Sequence, residues 1–281
     1  MTETLTTQGI PVHPLELDLL CAFAEMAPPF PLDVPTHGNT HAQRQQVFRA
    51  ARHQLAARGL VDRHGPTGVA ATFVRLLREA TGALDLVLAV SGRSTGAVVL
   101  LDDSRALLAI QSPDDAGRLV WLTELDSDDA VPELLALPPV VAAADVPSFT
   151  LPLRPVRRVF ERIVPPRPSD AWTEPPTLLS DADIDALLDD SGVDERLAAR
   201  LATNFRRVSG SGQAGSARWH PHSRSWRRIG AELHWIDTAR GRFRVSQDEH
   251  QLWGSVSPLS HNDIRAELRR MAADARQAAT R

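Results

Sequence analysis

Apolar residues in the first half of the chain follow a helical period and then change to a strand period. Val47, Ala51 and Leu55 lie four residues apart, and residues 69–80 continue this spacing, so two helices are predicted. Within residues 84–90 every second residue is Leu or Val, as in a strand that buries one face. The pattern therefore indicates a pair of helices followed by the first strand of a sheet.

Short apolar runs bounded by turn residues extend this strand into an antiparallel meander. Hairpin turns are expected at residues 91–96 and 102–104, which are rich in Gly, Ser and Asp. The further strands of the meander are predicted at residues 97–101, 106–110 and 119–123. A short helix at residues 131–137 closes the unit.

The second half repeats this order after a connector at residues 152–176. The connector contains seven prolines, which interrupt helices and strands alike. The elements predicted beyond it are helices at 181–190 and 195–207, strands at 214–219, 225–237, 242–246 and 252–256, and a helix at 262–275. We expect an α+β fold in which residues 1–281 form one domain with an antiparallel sheet. Its two pseudo-repeated halves would span about 9–151 and 177–275.

Composition narrows the class of protein. The chain has 281 residues, 43% of them hydrophobic, and a formal net charge of −4, which is typical of a folded globular protein. No apolar run approaches the roughly 18 residues that span a bilayer, and residues 1–9 lack the pattern of a secretory signal. Cys21 is the only cysteine, which fits a reducing compartment. We expect a cytoplasmic protein without membrane insertion.

The residues with catalytic potential do not form the pattern of an active site. All 31 basic residues are arginine, and tyrosine is absent, so sites that need a phosphate-binding lysine, a Schiff-base lysine or a tyrosine acid are excluded. Gly210, Gly212 and Gly215 spell a dinucleotide-type motif, but it would leave a helix and enter a strand, the reverse of the required order. We interpret it as a flexible loop. No catalytic set, metal site, cofactor site or small-molecule substrate is predicted.

The strand predicted at residues 242–246 gives an expectation about burial. Phe243 and Val245 should lie in the core together with Trp235. Arg242 and Arg244 alternate with Phe243 and Val245, so they should lie on the opposite, solvated face.

Charge is unevenly distributed and leaves a second function open. Residues 196–281 hold 16 arginines against 7 acidic residues, and the segment 206–228 has six arginines, no acid, and Trp219 and Trp226. Arginine and tryptophan on strands are typical of surfaces that bind single-stranded nucleic acid. The alternative hypothesis is therefore a nucleic-acid-binding regulator that uses the C-terminal sheet. The acidic isoelectric point of about 6.2 argues against it, so nucleic acid is not the partner that we expect.

Six short motifs in a fixed order resemble one family. The N-terminal ones are a Pro-Leu-x-x-Pro loop at 31–35, a Gly-x-Thr helix start at 38–40 and an Arg-Gly-Leu helix end at 58–60. The C-terminal ones are Gly-Gln-x-Gly at 212–215, paired arginines at 227–228 and Asp-Thr-x-x-Gly-Arg-Phe at 237–243. This order is similar to that of EspG proteins, the cytosolic chaperones of ESX (type VII) secretion systems.

The resemblance implies a quasi-twofold fold with a central antiparallel sheet flanked by two α-helical bundles. It also implies a chaperone, not an enzyme, that binds a secreted PE–PPE heterodimer at 1:1:1, keeps it soluble and directs it to an ESX machine. Family contacts use the second-to-third strand loop, the sheet and the C-terminal helical bundle. On this chain the corresponding partner-binding residues would be Arg93, Ser94, Thr95, Leu197, Leu201 and Phe205, with Arg227 and Arg228 at a charged rim.

Overall fold

The structure is a computed structural model. It describes residues 9–112, 114–152, 180, 182, 186, 203–205, 207–220, 225–246 and 253–276. The elements of the first half are β1 (Ile10–Val12), α1 (Pro14–Ala24), α2 (His41–Ala57), α3 (Gly68–Glu79), β2 (Gly82–Val90), β3 (Arg93–Leu101), β4 (Arg105–Gln111), β5 (Val120–Asp126) and α4 (Ala130–Leu135). Those of the second half are β6 (Phe149–Pro152), β7 (Gly210–His220), β8 (Ser225–Thr238), β9 (Gly241–Ser246), β10 (Trp253–Pro258) and α5 (His261–Arg276).

The described strands form one ten-stranded sheet in the order β1-β5-β4-β3-β2-β7-β8-β9-β10-β6. Every neighbouring pair is antiparallel, and the two meanders, β2–β5 and β7–β10, meet where β2 pairs with β7 from Ala83↔Ala217 to Val90↔Gly210. Each meander ends on a short edge strand, β1 against β5 and β6 against β10. The predicted α+β architecture with a large antiparallel sheet is confirmed.

Helices cover both faces of this sheet. On the face that we call the front, α1, α2 and α3 pack against Ala83, Val98 and Leu100. On the back face, α4 and α5 pack against Leu84, Leu86 and neighbouring residues of β3 and β4. Because neighbouring side chains of a strand point to opposite faces, the apolar residues of β2 divide between the two layers.

Most predicted elements of the described residues are present, with small shifts at their ends. The α5 stripe is confirmed, since Ile264, Leu268, Met271 and Ala275 are all buried. Three elements, the short strands β1 and β6 and the helix α1, were not predicted. The helices predicted at 181–190 and 195–207 fall mostly outside the described residues, although residues 182, 186 and 203–205 are helical.

Two predicted loops differ from the structure. The hairpin turn expected at residues 91–96 is present but shorter than predicted: Ser91 and Gly92 both adopt positive φ, 51° and 75°, and β3 begins at Arg93. That geometry matches the twist of a tight hairpin. The flexible loop expected at Gly210–Gly215 is wrong, since all six residues belong to β7.

The expectation that Arg242 is solvated is wrong as well. Arg242 lies on the opposite face from Phe243 but has no exposed surface. Its Nε and Nη2 donate to Asp237 at 2.6 and 2.8 Å, and Nη2 also donates to the carbonyl of Pro139 at 2.9 Å. The segment 139–144 covers this position, and the backbone of Arg242 bonds to Ala142 and Ala144. Arg244 is half-buried and donates to Glu267 at 2.9 Å.

Candidate partner-binding surface

The β2–β3 turn places three of the predicted residues at one end of the sheet. Arg93 is 70% exposed and forms an ion pair with Asp115 in the loop between β4 and β5. The backbone N–H of Ser94 donates to Asp114 at 2.5 Å, and the hydroxyls of Thr95 and Ser112 lie 3.4 Å apart. Ser94 itself is buried, so Arg93 is the side chain that this tip presents to a partner.

A group of polar side chains lies on the front face, across β2, β7 and β8. We call Asp85, Gln213, Arg228, Glu232 and His234 the central strip. The guanidinium of Arg228 pairs with both oxygens of Asp85, with Nη2 2.7 Å from Oδ1, and its Nε lies 3.1 Å from Glu232. Glu232 also accepts from Gln213 at 2.8 Å and lies 3.3 Å from His234. The strip is therefore one connected network.

Exposure differs along the central strip. Asp85 is buried, whereas the side chains of Arg228, Glu232 and His234 keep 31%, 24% and 20% of their surface exposed. Arg228 also lies over the ring of Phe30, with its Cζ 5.4 Å from the ring centroid. A partner that reaches this face would contact Arg228, Glu232 and His234, with Asp85 anchoring the guanidinium from below.

Burial and charge act against each other at the two carboxyls of the strip. Burial raises the pKa of Asp85 to about 7, opposed by the charge and hydrogen bonds of Arg228. At Glu232 burial also acts to raise the pKa, but the hydrogen bond from His234 and the charge of Arg228 outweigh it, so the pKa is lowered. Glu232 is thus the more strongly ionised of the two carboxyls.

The glycines of β7 explain how Arg228 reaches Asp85. Arg228 lies on β8 and Asp85 on β2, so the side chain must cross β7. Gly215 is the residue paired with Asp85, and a Cβ there would overlap the guanidinium. Gly212 serves the back face in the same way, because a Cβ there would overlap the indole of Trp235. The Gly-Gln-x-Gly motif is a strand that seats two large side chains.

The helical residues predicted to contact a partner have different positions. Leu197 and Leu201 lie outside the described residues. Phe205 is only 1% exposed, and its ring centroid lies 6.5 Å from that of Phe149 and 5.7 Å from that of Phe243. Phe205 is therefore a core residue, which corrects its assignment to an exposed partner-binding face.

Arg227 and Arg228 serve different faces of the sheet. They are consecutive residues of β8, so their side chains point in opposite directions, and Arg227 is exposed on the back face.

The tip formed by the β2–β3 turn and the central strip also lie apart. Arg228 is level with Ala83 and Arg93 with Val90, a separation along β2 of about 23 Å at roughly 3.3 Å per residue. A partner must be extended to touch both.

The Arg/Trp segment does not form a basic stacking surface in the described residues. Trp219 and Trp226 pack against each other with centroids 5.9 Å apart, and Trp226 also packs on the front-face core. Arg228 is engaged by carboxylates, and Arg218 donates to the carbonyl of Asp274 at 3.3 Å. These contacts leave few cations for phosphates, and the nucleic-acid hypothesis is not supported.

Sequence reasoning missed four members of the central strip, namely Asp85, Gln213, Glu232 and His234. One signal was available at Asp85, a charged residue between Leu84 and Leu86 in a strand predicted to be buried. The described residues contain no group of three His, Cys, Asp or Glu side chains arranged to hold a metal ion. None of the described helices has the length and apolar character needed to cross a membrane.

Comparison with known proteins agrees with this fold. A model of the EspG family matches the chain over residues 13–270. The structure is similar to that of the Mycobacterium tuberculosis type VII secretion system chaperone EspG5, solved in complex with the PE25–PPE41 dimer. The two chains are 12% identical, the TM-score is 0.56, and the match covers 95% of this chain and 96% of the other. No curated protein matches the chain in sequence.

Proposed function

The chain belongs to the EspG family, and from this premise we propose that it is a cytosolic chaperone for a secreted PE–PPE heterodimer. It binds one heterodimer at 1:1:1, keeps it soluble and directs it to a type VII (ESX) secretion system, without catalysing a reaction. The family match over residues 13–270 is the observation that carries the proposal. The fold shared with a chaperone in complex with a PE–PPE dimer supports it.

The front face offers a physical basis for such binding. Exported helical proteins that expose apolar patches aggregate unless a partner covers them. The central strip lies beside the bundle of α1, α2 and α3, and the exposed Arg93 stands at the end of the same sheet. Charged groups around a covered surface select partners more than they add affinity. Arg228, Glu232 and His234 are the residues that we assign to this front-face contact, and we assign Arg93 to contact with a client that extends past the end of the sheet.

The family fold also has finer features that we propose for this chain. The two halves are related by a quasi-twofold axis at the β2–β7 pair, and two α-helical bundles flank the central sheet. In both halves an edge strand is followed along the chain by a four-stranded meander and then by a back-face helix, which supports this symmetry. Residues 9–151 and 177–275 form these halves of one domain and residues 152–176 connect them, while β6, just before the connector, pairs with β10 at the edge of the second half.

Co-purification with a PE–PPE pair encoded in the same genome tests the function. The chain and the pair are co-expressed and separated by size-exclusion chromatography, and a peak that contains all three proteins is expected. Arg93→Glu should weaken this complex, because it reverses the charge at the tip. Arg105→Glu is the matched control, since Arg105 is similarly exposed at 63% and, within the described part of the chain, pairs only with Asp126, but lies at the other end of the sheet.

The outcomes separate function from site. If no PE–PPE pair elutes with the chain, the chaperone function is wrong. If the complex forms but Arg93→Glu and Arg105→Glu behave alike, the function stands and the assignment of the tip is wrong.

A further inference from the structure

A second surface lies on the back face, away from the central strip. Helices α4 and α5 pack side by side there and leave an open cleft of about 360 Å³ between them. Val131 and Leu135 of α4 form its buried floor, and Pro132 and Ala136 form one exposed wall. We call this the α4–α5 cleft.

The opposite wall of the α4–α5 cleft is basic. His261, Arg265 and Arg269 lie four residues apart on α5, so they occupy one face over about 12 Å. Arg265 bonds only to the side chain of Asn262, and Arg269 has no acidic partner among the residues that the structure describes. The buried Nδ1 of His261 also lacks a hydrogen-bond partner within that part of the chain. Both other arginines of α5 are engaged, Arg270 by Glu267 and Asp274 and Arg276 by Ser127.

We propose that the α4–α5 cleft binds a short acidic segment of a second protein. Two carboxylates of the segment pair with Arg265 and Arg269, and an apolar side chain between them lies over Val131 and Leu135. Guanidinium groups suit this role because their planar donors match the geometry of a carboxylate. The cleft and the central strip are on opposite faces, so the segment and a client can be bound at the same time.

The surroundings of the cleft favour a short segment over a polyanion. Asp128, Asp129 and Glu133 lie at the start of α4, the helix that forms the apolar wall of the cleft, and Asp128 is fully exposed. A nucleic acid or an anionic membrane would bring phosphates close to these carboxylates and be repelled. A segment with two carboxylates at the spacing of Arg265 and Arg269 avoids them.

Fluorescence anisotropy with the full chain tests the proposal without any client. The probe is a short fluorescein-labelled peptide built from repeats of Leu-Glu-Glu, and the comparison peptide has Gln in place of every Glu. Saturable binding of the acidic probe is expected, and R265E/R269E should weaken it at least about tenfold, since it turns attraction into repulsion. The neutral variant R265Q/R269Q should give an intermediate loss.

The matched control is R49E/R78E, which changes the net charge by the same amount at two exposed arginines of α2 and α3. It should leave binding within about twofold. Circular dichroism and urea unfolding show whether each variant folds. Equal binding of the Gln peptide, no saturable binding of the acidic probe, or equal losses in both double variants overturns the proposal. Tighter binding of random single-stranded DNA or phosphatidylglycerol vesicles also overturns it.

Discussion

The substitution Gly212→Ala tests whether the glycines of β7 are there to seat large side chains. A Cβ at residue 212 would lie 2.6 Å from Cη2 of Trp235 and closer still to two other atoms of that ring, well inside the 3.0 Å limit that real Cβ atoms observe. Trp235 is directly opposite on β8 and has no exposed surface. The indole must therefore move within a packed core.

Three effects set how much Gly212→Ala lowers the free energy of unfolding. Overpacking a core by one methyl group costs about 1–3 kcal/mol. Expelling the ring entirely would approach the roughly 3–5 kcal/mol of losing a buried Trp. Alanine restricts the conformations of the unfolded chain more than glycine does, and this offsets about 0.4–1 kcal/mol of the destabilisation. Because the ring has only packed neighbours to move into, we expect Gly212→Ala to lower the free energy of unfolding by about 2 kcal/mol.

Urea unfolding followed by far-UV circular dichroism measures this loss of stability. The urea concentration at the unfolding midpoint should fall, and the dependence of the free energy on urea concentration should stay unchanged. The decisive comparison is the same change in a Trp235→Leu background, where the smaller side chain leaves room for the new methyl group. There Gly212→Ala should cost less than about 0.5 kcal/mol, giving a coupling of more than about 1 kcal/mol. Additive losses would refute the reasoning, because the two residues would then not compete for the same space.

Four further outcomes follow from the same contacts. Phe205→Ala should lower the free energy of unfolding by about 3–5 kcal/mol, measured by urea unfolding, because Phe205 is buried. Arg93→Glu should change the same free energy by less than about 0.5 kcal/mol, because Arg93 is exposed. Arg242→Ala should cost about 3–5 kcal/mol in the same assay, because it leaves the carboxylate of Asp237 buried without its guanidinium. Gly215→Ala should weaken client binding in a pull-down by displacing Arg228 from Asp85. Burial and the charges of Arg242 and Arg265 hold the pKa of His261 below its usual 6.5, so NMR titration should give a lower value. The folded state then binds fewer protons than the unfolded one, and stability should fall as the pH decreases below about 6.5.

Patterns within a few residues predicted the elements that depend on local chemistry. The alternation at residues 84–90 and the stripe of α5 both report a buried face, and both elements are present. Contacts distant in sequence were not predictable in this way. Arg242 is covered by Pro139, 103 positions away, and Arg228 is held by Asp85, 143 positions away. An arginine in an alternating strand is assigned to solvent by pattern alone, and only the tertiary fold shows what covers it.

The N-terminal motifs that indicated the family are also structural contacts. Thr40 caps α2 by accepting from the backbone N–H of Gln43 at 3.2 Å, and Arg44, four residues beyond this motif on α2, pairs with the buried Asp18 at 2.8 Å. Arg58, at the end of α2, pairs with the buried Glu16 at 2.7 Å. These motifs fix α1 against α2, so they predict the frame of the bundle and not what it binds.

The C-terminal motifs lead to the same conclusion from the other half of the sheet. Asp237 and Arg242 join the β8–β9 hairpin to the segment 139–144, while Gly212 and Gly215 make room for a tryptophan and an arginine. Family membership is thus readable in the sequence because the frame depends on special residues at fixed spacing. Client choice depends on side chains that the frame only presents, such as Arg93 at the tip. An ordinary exposed arginine carries no pattern of its own, and for that reason the family could be predicted from sequence more completely than the residues of the binding surface.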